Sequence, residues 1–354
     1  MASRSRRETT CPLCAAAAAR HLVTKRGYDV VRCTSCGLVF VWPRPTQGEL
    51  AALYSAGDYH AEVNEAERRH AFARRLRQIE RLAPRRGRIL DVGCSKGYFL
   101  EAARASGWDA VGIELNEKAA SEARAKGLDV RHGDLVGGAS LPRVAEFDAG
   151  SFDVVTLFDV LEHTGEPRAM LAACRRLLRP SGLLVVTTPD IGGLLPRLTY
   201  ALFGWTLGAW DHPTPPGHLV QFSRRTLRRA LEGAGFETVR ERSEHIPVAY
   251  SAGKLENSIM DVLAGRHRAK PAPRAPGKAR ENATAAGARG SLLHRMPRLC
   301  VRLASWLVVG VGSLVAHVLG WGDSRWLAAR KANDEALDSD GSSLLPSTPN
   351  TQHR

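Results

Sequence analysis

Four cysteines stand in two closely spaced pairs near the start of the 354-residue chain. Cys11 and Cys14 form the first pair, Cys33 and Cys36 form the second, and eighteen residues separate the pairs. Each C-x-x-C pair turns two thiolates toward one point, so the two pairs together can supply four sulfur ligands to a tetrahedral zinc ion. Because four thiolates leave no open coordination position, the spacing predicts a structural zinc site in a small ribbon-like module.

A second group of residues could hold a cofactor through its backbone and carboxylates. In the run ILDVGCSKGYFL, residues 89–100, a buried strand enters a loop containing Asp91, Gly93, Ser95 and Gly97, and a helix follows. Glycine lets a ligand lie against the backbone at a place where any Cβ atom would intrude. The loop therefore predicts a ligand site at the carboxyl end of a strand.

Three kinds of site could use this loop. A dinucleotide site requires G-x-G-x-x-G, but the loop offers Gly93, Ser95 and Gly97 and lacks the third glycine. A hydrolase nucleophile elbow, G-x-S-x-G, is matched by residues 93–97, but such an elbow normally follows several parallel strands. Here a cysteine module and helices precede it. The third kind, an S-adenosylmethionine site, agrees with more of the chain.

Carboxylates also stand at the ends of the next two predicted strands. Glu114 ends the strand 110–114, where it can accept hydrogen bonds from both ribose hydroxyls, and Asp134 follows the third strand, where it can take the adenine amino group. Asp91 can help to hold the cationic methionine part. The predicted cofactor-binding residues are Asp91, Gly93, Ser95, Gly97, Glu114, Leu115, Asp134, Leu135 and Phe158.

These residues depend for their positions on an alternation of strands and helices. Short apolar, β-branched runs separated by helical segments are typical of a parallel sheet covered on both faces. The pattern predicts an α/β fold with a doubly wound, mostly parallel seven-stranded sheet of the Rossmann-like type. The candidate parallel strands are 88–92, 110–114, 129–132, 153–158 and 183–187.

From about Arg88 to Glu244 the chain resembles the class I S-adenosylmethionine-dependent methyltransferases, in particular the group with the ubiquinone-type O-methyltransferases. The matching segments are ILDVGCSKGYFL, VGIEL, GDL, FDVVTLFDVLEHT, LLRPSGLLVVTTPD and HLVQFSRRTLRRALEGAGF. Ser95 departs from the family, which usually has glycine there, so we expect a modest adjustment of the loop. The cysteine module followed by PRPTQGELAALY is also similar to the front end of some members, including sugar C-methyltransferases. The resemblance implies S-adenosylmethionine as cofactor and leaves the acceptor open.

Candidate catalytic residues follow the fourth strand. If a helix begins there, Asp159, Glu162 and His163 share one face by their i, i+3, i+4 spacing. His163 could act as a general base, since the pKa of histidine suits neutral pH. Alternatively, the three residues could bind a divalent metal that orients a hydroxylated acceptor, as the resemblance suggests. In a third interpretation Glu162 and His163 only pin the loop by hydrogen bonds.

The acceptor is expected to contact the stretch Ile191–Phe222, because this stretch leaves the carboxyl end of the fifth strand beside the cofactor crevice. Its aromatic character suits an apolar or sugar-containing acceptor, and it equally fits the ordinary packing of a long insertion. The residues that give it this character are Tyr200, Phe203, Trp205, Trp210, His212 and His218.

The distribution of charge bears on the partner. The chain carries a net charge of +14, but between Asp91 and Asp190 the 11 Lys and Arg and the 15 Asp and Glu give a net charge of −4. The basic excess therefore lies in the flanks, which disfavours nucleic acid at the catalytic cleft. We expect a methyltransferase acting on a small-molecule, sugar or lipid-linked acceptor in a biosynthetic pathway. The alternatives are an RNA methyltransferase that grips phosphates with its zinc module and basic flanks, and a binding protein that has lost catalysis.

The composition along the chain predicts a division into segments. They are a zinc-ribbon-like module (8–45), a helical connector (46–87), the methyltransferase domain (88–261), a disordered basic linker (262–297), an apolar helix (298–321), the last strand of the sheet (322–331) and a disordered tail (332–354). The absence of a signal peptide before the cysteine pairs favours a reducing cytoplasm.

The apolar helix raises the question of a membrane. Residues 303–321 contain no Asp, Glu, Lys or Arg, but the interior carries serines and glycines. If 322–331 completes the sheet, both ends of the helix must lie on one side of any bilayer. We therefore expect it to lie in the interface at the inner membrane face, as a peripheral contact, or to pack on the domain or on a second subunit of a homodimer.

Overall fold

The computed structural model describes residues 9–25, 27–46, 48–50, 65–83, 85–136, 147–201, 213–244, 251–253, 255–256, 259–260, 292–319 and 321–332. In the helix that starts at residue 292, side chains are described for residues 300–315 only. Parts of several predicted features lie outside the described residues: the helical connector at 51–64, the methyltransferase domain at 137–146 and 245–250, the acceptor stretch at 202–212, the disordered linker at 262–291 and the disordered tail at 333–354.

The named elements alternate between strand and helix through the middle of the chain. The strands are β1 (Ala19–Lys25), β2 (Tyr28–Cys33), β3 (Val39–Trp42), β4 (Arg88–Val92), β5 (Asp109–Glu114), β6 (Asp129–His132), β7 (Phe152–Phe158), β8 (Leu178–Pro189), β9 (Val220–Gln221), β10 (Phe236–Glu244) and β11 (Ser324–Lys331). The helices are α1 (Glu65–Leu82), α2 (Tyr98–Ala105), α3 (Glu117–Ala125), α4 (Pro167–Leu177), α5 (Leu194–Thr199), α6 (Arg224–Gly233) and α7 (Leu292–Leu319).

The main sheet has seven strands in the order β10-β11-β8-β7-β4-β5-β6. The five strands from β8 to β6 are parallel, and β11 pairs antiparallel with both β8 and β10. This topology confirms the predicted α/β fold with a mostly parallel seven-stranded sheet. Because β4 and β7 lie at the centre, their carboxyl ends open into the crevice where such sheets bind ligands.

Alternate residues of the central strands enter two different cores. Leu90 and Val155 pack in one core, while Ile89 and Val154 pack in the other, with Leu76 of α1 on that same side. This alternation follows from the two-residue period of a strand. Both faces of the sheet are therefore covered, and polar side chains at the strand ends are the part of the sheet that can meet a ligand.

A second, four-stranded sheet lies at the front of the molecule in the order β1-β2-β3-β9. The strands β1, β2 and β3 come from the cysteine module, whereas β9 follows the long insertion after β8. The pairs Val39–Gln221 and Phe40–Val220 join β3 to β9 in antiparallel register. The cysteine module is thus hydrogen-bonded directly to a segment of the methyltransferase region.

The apolar helix predicted over 298–321 corresponds to α7, which begins earlier, at Leu292, and ends at Leu319. Val309 packs in a small cluster with Leu195 of α5, and a Cβ atom at Gly312 would collide with the Leu195 side chain, so α7 lies closely against α5. Among the residues that the structure describes, no helix combines the length and apolar character needed to cross a bilayer.

Candidate active site and metal centre

The loop after β4 takes a backbone conformation that needs glycine. Gly93 has φ 77° and Gly97 has φ 79°, in the left-handed region where other residues are strained. A Cβ atom at Gly93 would overlap the side chain of Val160, and one at Gly97 would overlap that of Leu128. Both the backbone conformation and the neighbouring side chains therefore exclude residues larger than glycine at these two positions. The two glycines let the loop turn tightly into α2.

Ser95 also lies in the left-handed region, with φ 51°. This conformation gives a physical reason why glycine is usual at this place in similar sequences, since a serine there carries some backbone strain. The backbone N–H of Ser95 donates to Oε2 of Glu114 over 2.8 Å, which holds the loop in place despite that strain.

Glu114 is the centre of the candidate ribose site. It is buried, and its two oxygens accept backbone hydrogen bonds from Ser95 and from Asn116, each over 2.8 Å. Each carboxylate oxygen keeps a second lone pair that can accept a hydroxyl. The backbone carbonyl of Glu114 accepts from the N–H of Gly133 over 2.9 Å, which brings the end of β6 next to it.

The remaining residues assigned to the adenosine part lie at the same edge of the sheet. The carbonyl of Leu115 lies 3.0 Å from Nε2 of His132, at the end of β6. Asp134 and Leu135 follow directly, with Leu135 buried, and Oδ1 of Asp134 accepts from the N–H of Val136 over 3.3 Å. The three acidic residues predicted at consecutive strand ends therefore lie along β4, β5 and β6. Their contacts with a cofactor remain a prediction.

Asp91 is a buried carboxyl in β4. Its Oδ1 accepts from the hydroxyl of Thr156 over 2.6 Å, and its exposed fraction is 2%. Burial raises the pKa of Asp91 to about 7, and the nearby Glu114 adds to this, although Thr156 and Arg75 oppose it. A cation placed in this crevice would favour the ionised form, because an opposite charge stabilises a carboxylate.

Sequence reasoning did not single out Arg75, which α1 brings to the same crevice. Its guanidinium lies 3.3 Å from Glu244 and 3.8 Å from Asp159, and it stacks over the ring of Phe158 with 5.0 Å to the centroid. It is also close enough to Asp91 to lower the pKa of that residue. Since α1 is rich in arginine, only the tertiary structure distinguishes this one.

Phe158 ends β7 and forms one wall of the crevice. Its ring packs edge-on against Phe99, with 4.9 Å between centroids, and lies 5.6 Å from the ring of Phe72. It is buried. Phe158 therefore has a clear packing role, and contact with the cofactor stays a prediction for it.

The helical face expected for Asp159, Glu162 and His163 does not form. Residues 161–163 make a turn, Asp159 has φ 57°, and α4 begins only at Pro167. The Asp159 side chain is half exposed and accepts from the hydroxyl of Thr187 over 3.1 Å. Left-handed backbone at Asp159 breaks the helical periodicity, so the three side chains do not share one face of a helix.

His163 is half-buried, and a hydrogen bond to Gly217 orients its ring. Nδ1 lies 2.8 Å from the backbone carbonyl of Gly217, and a carbonyl can only accept, so Nδ1 carries the proton. Burial lowers the pKa of His163, although the Gly217 carbonyl and Asp159 oppose this. The imidazole is therefore neutral near pH 7, with Nε2 as its basic nitrogen.

Glu162 and His218 complete this cluster. Glu162 is buried, accepts from the hydroxyl of Thr188 over 2.9 Å, and has its pKa raised well above its ordinary value by burial and by Asp159. The ring of His218 packs edge-on against His163, with 4.7 Å between centroids. One ligand atom of each of Glu162, His163 and His218 lies within 4.8 Å of the others, so this group could hold a metal ion.

The sequence prediction named Asp159 as the third member of the cluster, whereas the structure brings in His218. This histidine lies 55 positions beyond His163 in the sequence, so no local spacing rule connects the two. The only available signal was the position of the stretch Ile191–Phe222 after β8, which placed His218 among the candidate acceptor contacts.

The four paired cysteines converge as their spacing predicted. The sulfur of Cys11 lies 3.6 Å from that of Cys36, and the sulfurs of Cys14 and Cys33 lie 3.5 Å apart. All four sulfurs lie within 4.8 Å of one another. Four sulfurs bound about 2.3 Å from one zinc ion lie roughly 3.8 Å apart, so the cluster fits tetrahedral zinc.

The surroundings of the thiols differ within the cluster. Burial raises the pKa of Cys11 to about 11 and raises that of Cys36 further. Burial also opposes ionisation of Cys33, but the backbone N–H groups of Cys36 and Ser35 outweigh it and lower the pKa of Cys33 to about 7. Metal binding would have to displace the protons of the buried thiols, which a bound cation favours.

The chain is similar to known proteins over this region. A family model described as a methyltransferase domain matches residues 65–241. A probable S-adenosylmethionine-dependent methyltransferase of Mycolicibacterium smegmatis is 31% identical over 195 residues, which cover 54% of this chain and 67% of that protein. A ubiquinone biosynthesis O-methyltransferase of Aromatoleum aromaticum is 38% identical over 172 residues, which cover 46% of this chain and 70% of that protein.

A solved structure is similar as well. The crystal structure of an S-adenosylmethionine-dependent methyltransferase from Archaeoglobus fulgidus superposes with a TM-score of 0.44 and 18% identity, covering 74% of this chain and 94% of that one.

Proposed function

Because this chain belongs to the methyltransferase domain family, we propose that it methylates a hydroxyl group of a small-molecule, sugar or lipid-linked acceptor. That it is an S-adenosylmethionine-dependent methyltransferase follows from the family itself. The choice of a hydroxyl acceptor rests on one observation, the half-buried neutral imidazole of His163 whose Nδ1 donates to the Gly217 carbonyl. The O-methyltransferase name of a relative agrees with that choice.

Bound S-adenosylmethionine supplies an electrophilic methyl group on a sulfonium. The residues of the chain would hold the cofactor by its polar ends. Glu114 would accept the ribose hydroxyls, Asp91 would face the cationic part, and Arg75 would pair with the carboxylate of the methionine part. These roles are supported by a fit of charge, since two buried acids and one arginine line the same crevice.

A hydroxyl acceptor must lose its proton as its oxygen is methylated. Nε2 of His163 is the basic atom suited to take that proton, because Nδ1 already donates to Gly217. Burial keeps the imidazole unprotonated between turnovers, and a water molecule can later remove the proton. His218 and Glu162 border the same place and would contact the acceptor or a metal that orients it.

An acceptor screen tests this proposal. The purified protein is incubated with methyl-labelled S-adenosylmethionine and, separately, a catechol, a hexose, a lipid-linked sugar or an RNA transcript. We expect the label in a methyl ether of one hydroxyl compound, and no such product with His163→Gln. Label found only in RNA, or only on carbon, would contradict the proposal. An exposed histidine of the front sheet, changed as His21→Gln, serves as the matched control.

The helix α7 bears on which acceptors are reachable, and we propose that it rests on an anionic lipid surface. Most of the large apolar side chains exposed among the described residues lie on α7 or just after it, including Trp306, Leu307, Leu314 and Trp321. Residues 282–322 contain no Asp or Glu but four arginines, at 289, 295, 298 and 302. An apolar face next to unopposed basic residues is complementary to anionic headgroups.

A further inference from the structure

The cysteine cluster and the candidate acceptor site are joined by backbone hydrogen bonds through one short strand. The cluster lies at the start of this path, because Cys33 ends β2 and its N–H donates to the carbonyl of Leu38 over 2.8 Å. The next residues form β3, which pairs with β9, and the N–H of Val41 donates to the carbonyl of Leu219 over 2.9 Å. The path thus reaches the residue directly after His218.

From β9 the path continues to the candidate catalytic turn. The N–H groups of Leu219 and Val220 both donate to the carbonyl of Glu162, over 2.8 and 3.1 Å. One residue before His218, the Gly217 carbonyl accepts from His163. Residues 217–220 therefore contact β3 on one side and hold Glu162 and His163 on the other.

The packing of side chains follows the same path. Cys33 and Phe40 of the cysteine module belong to one continuous apolar core with Leu161, Leu219 and Phe222 of the methyltransferase region. All five residues are at most 3% exposed. A displacement of the cysteine module would therefore expose the part of this core that lies next to Glu162.

The connection from the cysteine cluster to Glu162 can be perturbed by removing the metal. A four-cysteine module of this size has little core of its own, so metal ligation supplies most of its folding free energy. Within the described residues, β9 is only two residues long and has β3 as its strand partner. Apart from β3, the segment is held by hydrogen bonds to the Glu162 carbonyl and by a bridge between Asp190 and Phe222. Because a strand this short is marginal without its partner, we expect loss of metal to loosen residues 217–222.

We propose that the cysteine module is a positioning element of the acceptor site. Zinc held by Cys11, Cys14, Cys33 and Cys36 fixes β3, β3 fixes β9, and β9 fixes Glu162, His163 and His218. The cofactor loop is held separately, by Glu114 and the end of β5. Zinc therefore governs the acceptor half of the site and leaves the cofactor half intact. The catalytic part of this inference rests on the proposed function.

Hydrogen exchange tests the positioning directly and needs no acceptor. The full-length zinc-loaded protein is compared with protein stripped by a chelator under reducing conditions, and with stripped protein given zinc again. We expect amides of residues 217–222 to exchange roughly tenfold or more faster without zinc, because their protection depends on a local opening. Amides of residues 93–97 and the affinity for S-adenosylmethionine should change by less than about twofold, and added zinc should restore protection.

Two variants distinguish the effect of the hydrogen bond between Val41 and Leu219 from the effect of zinc loss. Val41→Pro removes the donor to Leu219 without touching a thiol, so it should keep zinc but speed exchange at 217–222. Cys300→Ser changes an exposed cysteine outside the cluster and should alter neither zinc content nor exchange. The proposal is overturned if residues 217–222 stay protected in the stripped protein or in Val41→Pro. It is equally overturned if cofactor affinity collapses together with that protection, since zinc would then hold the whole domain.

Catalysis supplies a separate readout. With a hydroxyl acceptor, turnover should fall about tenfold or more on zinc removal and return with added zinc. Zinc-dependent protection of 217–222 without methyl transfer to any hydroxyl compound would support the positioning role and contradict the proposed function. Full turnover in stripped protein with exposed 217–222 amides would overturn the positioning role and leave the proposed function standing.

Discussion

Nδ1 of His163 lies 2.8 Å from the backbone carbonyl oxygen of Gly217, and this hydrogen bond decides which ring nitrogen carries the proton. The carbonyl has no proton to give, so the neutral ring is held as the Nδ1–H tautomer with Nε2 as its basic atom. Gly217 precedes β9, which means that the tautomer of a residue after β7 depends on a segment more than fifty residues later.

Replacement of His163 tests its role as base. His163→Ala should lower turnover by about 10²- to 10⁴-fold, because the acceptor loses its positioned base. Affinity for S-adenosylmethionine, measured by calorimetry, should stay unchanged, since the ring lies on the acceptor side. Near-normal turnover would leave only a structural role. If the cluster instead holds a metal, EDTA should abolish turnover of the unmodified protein and magnesium should restore it.

The pH profile of turnover gives an independent check. His163 acts in its unprotonated form, and burial lowers its pKa below the ordinary value of 6.5. The base therefore stays unprotonated to lower pH, so the acid limb of the turnover profile should have its midpoint below 6.5. A midpoint above 6.5 would mean that another group, or a charged imidazole, limits the reaction.

Arg75 should contribute to cofactor binding. Arg75→Ala should weaken S-adenosylmethionine binding by about 1–3 kcal/mol, since a carboxylate in the crevice loses a charged donor. The comparison is with Arg77→Ala, an exposed arginine on the same helix that should leave the affinity unchanged. Equal affinities for both variants in calorimetry would remove Arg75 from the cofactor site.

We predict that the Asp91 carboxyl releases a proton when the cofactor binds. Its pKa is about 7 in the protein alone, so part of the population is protonated at neutral pH. The cationic part of the cofactor favours the ionised carboxylate, so binding expels the proton and affinity rises as pH rises through about 7. Calorimetry in two buffers of different ionisation enthalpy measures this release. Asp91→Asn should abolish the difference between the buffers.

The α7 surface can be tested with vesicles. The protein should sediment with phosphatidylglycerol vesicles at low salt and much less with phosphatidylcholine vesicles, because arginines precede the apolar face. Leu307→Glu should abolish sedimentation, whereas Val239→Glu, at an exposed apolar residue of β10, should not. If Leu307→Glu instead halves the molecular mass in light scattering, the face is covered by a second copy of the chain.

The sequence was informative where chemistry is local. Two C-x-x-C pairs predicted a sulfur cluster, and acids at the ends of apolar runs predicted the row of Asp91, Glu114 and Asp134. In both cases spacing along the chain translates directly into spacing in the structure, through a knuckle or through adjacent parallel strands. The fold class followed from the same alternation of strands and helices.

Other parts of the site depend on contacts that no local pattern encodes. Arg75 is one arginine among several on α1, and only the packing of that helix against β4 and β7 selects it. The shared face of Asp159, Glu162 and His163 depended on a helix beginning after β7, and the structure has a turn there instead. The left-handed backbone at Asp159 leaves no signal in residue type. The union of β3 with β9 joins positions about 180 residues apart.

The position of β11 in the main sheet has a consequence for folding during synthesis on the ribosome. This strand spans residues 324–331 and begins 80 positions after the end of β10 (324 − 244), yet it separates β8 from β10 in the finished sheet. If the domain folds in the order of synthesis, one edge of β8 stays unpaired until β11 emerges. The apolar α7 also emerges before β11 does. The nascent chain must therefore keep that edge of β8 from pairing with other chains until β11 has been synthesised, and only then can the seven-stranded sheet form.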